Sequence, residues 1–225
     1  MTLAAFQAST DDLVRDRDGV ISSLQRDTAI SNAVARYSAD RARPRVVDVV
    51  SVGGRFTDTP AGWVDGFSQL IAIEFPIGET PPAWIQVGEA SIYRSPSAVQ
   101  IQLPLELTAG ESIRYTFTGP HVVDNSTDTV PSADMQPVAA YAASLLCDQL
   151  ASYYATESAP TIGADTVDHQ NKSRTFAARA KVLREQYATT LRIDIARVIP
   201  ASNVVDLDRA ASDGGGRLFH PRRVF

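Results

Sequence analysis

The sequence predicts an α+β protein, a helical bundle built on a C-terminal helical hairpin and an N-terminal helix, with a mostly antiparallel β domain inserted between them. Three observations carry this: apolar residues recur at helical spacing up to about Arg41, alternate one by one with polar residues from Arg45 to about Val123, and return to helical spacing after Val138. At 225 residues, 44% hydrophobic and 21% charged, the chain holds enough apolar material for one large core or two smaller ones.

The N-terminal helical segment covers residues 1–43. Ser9, Thr10 and Asp11 are candidate caps of a short helix, Gly19 interrupts the pattern, and Ile30, Ala33, Val34 and Tyr37 share a face after Asp27 and Thr28. Pro44 ends it, because the residue before a proline is pushed out of helical geometry.

The β domain covers residues 44–123. In AVQIQLPLEL, Val99, Ile101, Leu103, Leu105 and Leu107 face one way, while Gln100, Gln102, Pro104 and Glu106 face the other. TAGES turns the chain, and SIRYTFT resumes the alternation with Ile113, Tyr115 and Phe117 inward, so these two strands are expected to pair as a hairpin. VVDVVSV, LIAIEF and SIYR bring the expected count to about five. Pro104 fits an edge or a bulge, since proline cannot donate to a ladder.

The helical hairpin covers residues 124–199. In its first helix Val138, Ala142, Leu145, Gln149 and Tyr153 form a seam that Tyr141, Leu146 and Leu150 widen; in the second, Phe176, Ala180, Leu183, Tyr187 and Leu191 form a stripe. Lys172, Arg174, Arg179, Lys181, Arg184 and Glu185 oppose that stripe. A connection of about 15 residues makes an antiparallel pair the simplest arrangement. The stretch YAASLLCDQLASYYA, residues 141–155, is small or apolar round most of its girth, so its surplus face needs either the N-terminal helix or another subunit. It is no membrane span: about 20 mainly apolar residues are required, and Ser144, Asp148, Gln149 and Ser152 interrupt it. The extended arm, residues 200–225, has no period; three glycines lead to the basic, aromatic tip RLFHPRRVF.

Charge and motifs narrow the chemistry. A formal net charge of −5 argues against a protein that wraps nucleic acid through its phosphates. The single cysteine, Cys147, excludes an internal disulfide and reads as a small buried hydrophobe. The N-terminus has no basic end followed by an apolar run, so export is not expected and the chain is expected to stay in the cytoplasm where it is made. His121, His169 and His220 lack zinc-ligand spacing, and no nucleophile elbow, phosphate-binding loop or dinucleotide fingerprint is present, so no catalytic residue, cofactor or metal is expected. Asp206 and Asp208 read as solvated surface. Trp63, Phe67 and Trp84 could stack on a sugar, although aromatics beside alternating strands usually fill a core.

The N-terminal AVARYSADRARPR, the strand-rich GWVDGFSQLIAIEFPIGETPPAWI, and the hairpin AAYAASLLCDQLASYYATES with DTVDHQNKSRTFAARAKVLREQYATTL together resemble the head-to-tail adaptor, connector or head completion proteins of tailed bacteriophages. The resemblance covers about 100 residues and rests on the helical stripes. It implies a virion structural protein without enzymatic activity, made in the bacterial cytoplasm and placed at the head–tail junction. Copies would form a ring, usually of about twelve, that joins portal to tail or neck proteins and leaves a channel for double-stranded DNA, which it does not bind sequence-specifically. On that reading Tyr141, Ala143, Leu146, Leu150, Ala151 and Tyr154 face the neighbouring subunit, and Arg217, Leu218, Phe219, His220, Arg222, Arg223 and Phe225 form a docking arm. The resemblance leaves the β domain's task open and implies that both tryptophans are buried. Two other readings stand beside it. A β-sandwich binding module for a sugar or a virion protein would expose a cluster containing Trp63 or Trp84, and a small enzyme would place a carboxylate beside His121 or His169.

Overall fold

The computed structural model describes residues 2–156 and 169–193, with the side chains of the last helix described from Lys172 onwards. The fold is α+β: helices α1 (Leu3–Val14), α2 (Ser23–Asp40), α3 (Met135–Thr156) and α4 (His169–Leu191) flank strands β1 (Arg43–Val50), β2 (Gly54–Asp58), β3 (Leu70–Glu74), β4 (Trp84–Ile85), β5 (Ser91–Arg94), β6 (Val99–Leu107) and β7 (Ser112–Gly119). Residues 200–225, the expected arm, lie outside the described residues, as do Asp206, Asp208 and His220.

The N-terminal segment is two helices. Ser9, Thr10 and Asp11 sit inside α1, with Thr10 buried, and cap nothing. The cap that does form is Ser22, whose side chain accepts from the Gln25 N–H while the Gln25 side chain accepts from the Ser22 N–H. This reciprocal box satisfies two of the four N–H groups that a helix start leaves open. Asp27 and Thr28 therefore fall within α2, whose buried face is Ala29, Ile30, Ala33, Val34, Tyr37 and Ser38.

Helices α3 and α4 run antiparallel. Tyr141 meets Tyr187, Asp148 meets Arg184, and Tyr154 meets Phe176, so the partner number falls as α3 advances. The α4 stripe is as the spacing predicts, with Ala180, Leu183, Tyr187 and Leu191 buried. The seam of α3 is displaced from the expected one: Val138, Ala139, Ala142, Ala143, Leu146, Cys147, Leu150 and Tyr154 are buried, whereas Gln149 and Tyr153 are exposed. Two clusters result, one joining Phe6, Ile30, Val34 and Tyr37 to Val138 and Tyr187, the other joining Val14 and Ala29 to Leu146, Leu150 and Leu183. All four helices contribute to both.

The strands make two sheets, ordered β1-β7-β3-β4 and β2-β6-β5, with every pairing antiparallel. The expected hairpin of β6 and β7 does not form; β6 lies in the second sheet and β7 in the first. Ile101, Leu103 and Leu107 on one strand and Ile113, Tyr115 and Phe117 on the other fill the same core from opposite sides. The chain therefore arches from layer to layer at Thr108–Glu111, and β1 to β2 arches beside it. Ser51 ties the two arches, its N–H donating to Glu111 O (2.7 Å) and its carbonyl accepting from Gly110 N–H (2.9 Å). Gly53, at φ 97°, supplies the left-handed conformation that the first arch needs. Two short strands, β2 and β4, raise the count to seven among the described residues. Pro104 falls where β2 and β6 slip register between Gly54 and Phe56, so its missing N–H breaks no ladder bond there.

Candidate functional site

The residues expected at a subunit interface are placed mostly indoors. Ala143, Leu146, Leu150 and Tyr154 are buried within the chain's own helices, which corrects their assignment to a neighbour; Tyr141 and Ala151 are half-buried. The cause is the second N-terminal helix: α1 and α2 together cover the girth of α3 that a single helix would have left bare. Tyr154 also donates to Asp18, and Lys172 lies 4.9 Å from its ring centre. The expected docking residues, Arg217, Leu218, Phe219, His220, Arg222, Arg223 and Phe225, lie outside the described residues.

His121 stands at the junction between β7 and α2. Its N–H donates to Ser38 Oγ (2.8 Å), its ring leans on Tyr37, Nδ1 faces the Thr129 carbonyl (2.8 Å) and Nε2 faces that of Arg41 (3.1 Å). The partners are backbone carbonyls and the Thr129 hydroxyl (3.2 Å from Nδ1) rather than the carboxylate that a general base would use. Beside it, the Tyr37 hydroxyl donates to Asp134 (2.6 Å), which Arg41 also binds (2.9 Å). Burial, then that hydrogen bond, pushes the Tyr37 hydroxyl up to about 12. Arg41 further donates to the Leu191 carbonyl, so one arginine ties the end of α2 to the turn that leads into α3 and to the end of α4. This constellation fastens the elements together.

Concave sites are modest. A groove of about 370 Å³ at the α1–α2 turn is lined by Asp11, Asp16, Ser22 and Arg26, but Arg26 is paired with Asp11 at 2.7 Å and Asp16 accepts from Ile21 N–H. Among the described residues no group of three or more His, Cys, Asp or Glu could hold a metal ion, and no helix is long and apolar enough to cross a membrane.

The informative surfaces are the two outer faces of the sandwich. On the first sheet a row crosses all four strands: Asp48, Arg114, Glu74 and Trp84. Arg114 Nε bonds Asp48 at 2.7 Å and Nη1 reaches Glu74 at 3.2 Å. The guanidinium holds the Asp48 carboxyl below its ordinary range. Trp84 at the end of this row and Val46 and Val50 beside it are each about 60% exposed. Trp84 is thus not buried, contrary to what the adaptor resemblance implies. Trp63 is half-buried and packs on Phe117, with its indole N–H enclosed and without an acceptor among the described residues. The second sheet's outer face carries Phe56 and Tyr93, 37% and 46% exposed, in ring contact with each other. Sequence order hides that pair, since the residues are 37 positions apart and meet only through β6; the available signal is that Tyr93 and Ile92 must face opposite ways on a strand.

The chain matches no protein-family model and no curated protein.

Proposed function

We propose that this protein is a structural subunit of a virion, a ring-forming head-to-tail adaptor that joins portal to tail and leaves a channel for DNA. The observation that supports this best is the outer face of the first sheet, where Val46, Val50 and Trp84 adjoin the Asp48–Arg114–Glu74 row. Large exposed side chains gathered on one face mark a partner's place, and the Asp48–Arg114 pair beside them, which the buried Glu74 holds from beneath, sets the register of a specific contact. The subunit contact moves accordingly from α3 to the sandwich. The C-terminal arm remains the second contact of this reading, with Phe219 and Phe225 filling pockets and Arg217, Arg222 and Arg223 meeting carboxylates on a sister subunit or the portal.

Mass measurement of the purified protein, alone and mixed with the portal and neck proteins of the same genome, tests the proposal. A closed ring, free or on the portal, is the expected result, and Val50→Lys should abolish it while leaving the thermal melt unchanged. A protein that is strictly monomeric in every mixture overturns it. The exposure of Trp84 also favours a second reading, a binding module attached through helices; Trp84→Ala would then abolish ligand binding and spare any ring.

A further inference from the structure

The outer face of the second sheet has a composition different from the first. Register sets Phe56, Gln102 and Ser91 in one row and Asp58, Gln100 and Tyr93 in the next, so none of the six positions is aliphatic. The two aromatic rings lean towards each other across β6, with centres 5.1 Å apart and planes 54° apart, and form an exposed aromatic pair. Polar groups border it. Gln100 Nε2 donates to Asp58 Oδ1 (3.3 Å) and Ser91 Oγ donates to Gln102 Oε1 (3.1 Å). The second carboxylate oxygen of Asp58 and the amide nitrogen of Gln102 carry no hydrogen bond among the described residues.

We propose that this face binds a neutral glycan, with the rings of Phe56 and Tyr93 against the C–H faces of one or two sugar units and Asp58 and Gln102 hydrogen-bonded to their hydroxyls. A pyranose has an apolar face and a rim of hydroxyls that both donate and accept, which is the complement of an aromatic pair edged by one acceptor and one donor. A protein interface also uses aromatics but sets them in a core depleted of charge, whereas this pair is edged by the Asp58 carboxylate and the amides of Gln100 and Gln102. Charge selects against a polyanion: between residues 43 and 119, eight acidic residues stand against five basic ones, and two of those five, Arg94 and Arg114, are bound to Asp65 and Asp48 at 2.7 Å. The site is independent of ring formation, because it uses neither the first sheet's face nor the arm.

The test is saturation-transfer NMR on the full chain with cellohexaose, maltohexaose and the hexamer of N-acetylglucosamine. Transfer to the ring C–H protons of at least one is expected, with affinity about tenfold weaker in Tyr93→Ala, the factor that one lost aromatic stacking contact corresponds to. Trp84→Ala on the opposite sheet should bind as the unaltered protein does. Both replaced side chains are exposed, and circular dichroism melts check that each variant is folded. No transfer from any of the three sugars overturns the proposal. Binding that survives the Phe56→Ala, Tyr93→Ala double variant, or a decaproline peptide that displaces the sugar and binds more tightly, does so too.

Discussion

The Tyr115 hydroxyl meets Thr57 Oγ1 at 2.5 Å inside the sandwich, the one from β7 and the other from β2, so a single polar contact bridges the two sheets through an apolar core. Its value lies in what happens when one partner goes. Tyr115→Phe leaves the Thr57 hydroxyl buried and unpaired, a loss of about 1–3 kcal/mol, while Tyr115→Phe with Thr57→Val removes both polar groups and should cost much less. Urea unfolding of the two single variants and the double variant measures this. The same burial raises the Tyr115 hydroxyl to about 12 from 10.0. A folded-state value above the unfolded one means that the proton is held more tightly in the fold, so this contribution is fully present below about pH 10 and is lost as pH rises through about 12. The unfolding midpoint should therefore decline across that alkaline window, and less steeply in Tyr115→Phe. Tyr37, also raised to about 12, accounts for part of the decline that remains.

At the scale of elements, α3 decides what kind of molecule this is. Ala143 is fully enclosed by the chain's own helices, so Ala143→Glu places an unpaired charge in the core, and loss of the cooperative melt is expected rather than a selective loss of assembly. A circular dichroism melt of the variant checks this. The helical period of α3 was legible from its sequence, as were the α4 stripe and the antiparallel hairpin, because spacing fixes which residues share a face. What covers that face was not legible, since a belt of alanines accepts a helix of the same chain and a helix of another copy equally well. The sandwich repeats the lesson. Alternation told which residues of β6 and β7 point inward, but both strands point into one core, and a short turn serves an arch as well as a hairpin. The aromatic pair Phe56 and Tyr93 was hidden for a related reason: its members belong to different strands that a third strand brings together.

At the scale of the whole molecule, the sandwich is an insertion whose ends lie side by side. Its first and last strands are paired, with Arg43 opposite Gly119, and its core cluster draws only on residues between Val47 and Phe117. The helical clusters draw on residues before Arg41 and after His121. Two consequences follow from closely spaced ends and separate cores. Residues 43–120 expressed alone should unfold cooperatively, with Leu103→Ala costing about 2–5 kcal/mol because that side chain is 2% exposed. The remainder, with residues 43–119 replaced by a short glycine linker, should keep its helical content, because the linker has only the width of one antiparallel strand pair, about 5 Å, to cross. The ties that would resist excision are those at His121, where Ser38 and the Arg41 carbonyl hold the chain as it leaves β7. Since all three residues remain in the excised chain, those bonds can still form. Urea unfolding followed by circular dichroism on both pieces measures the outcome. Two independent transitions, each near that of the intact chain, are expected. A sandwich fragment without a cooperative transition would mean that the helices hold it together, and any partner of its faces would then also be bound through the state of the bundle.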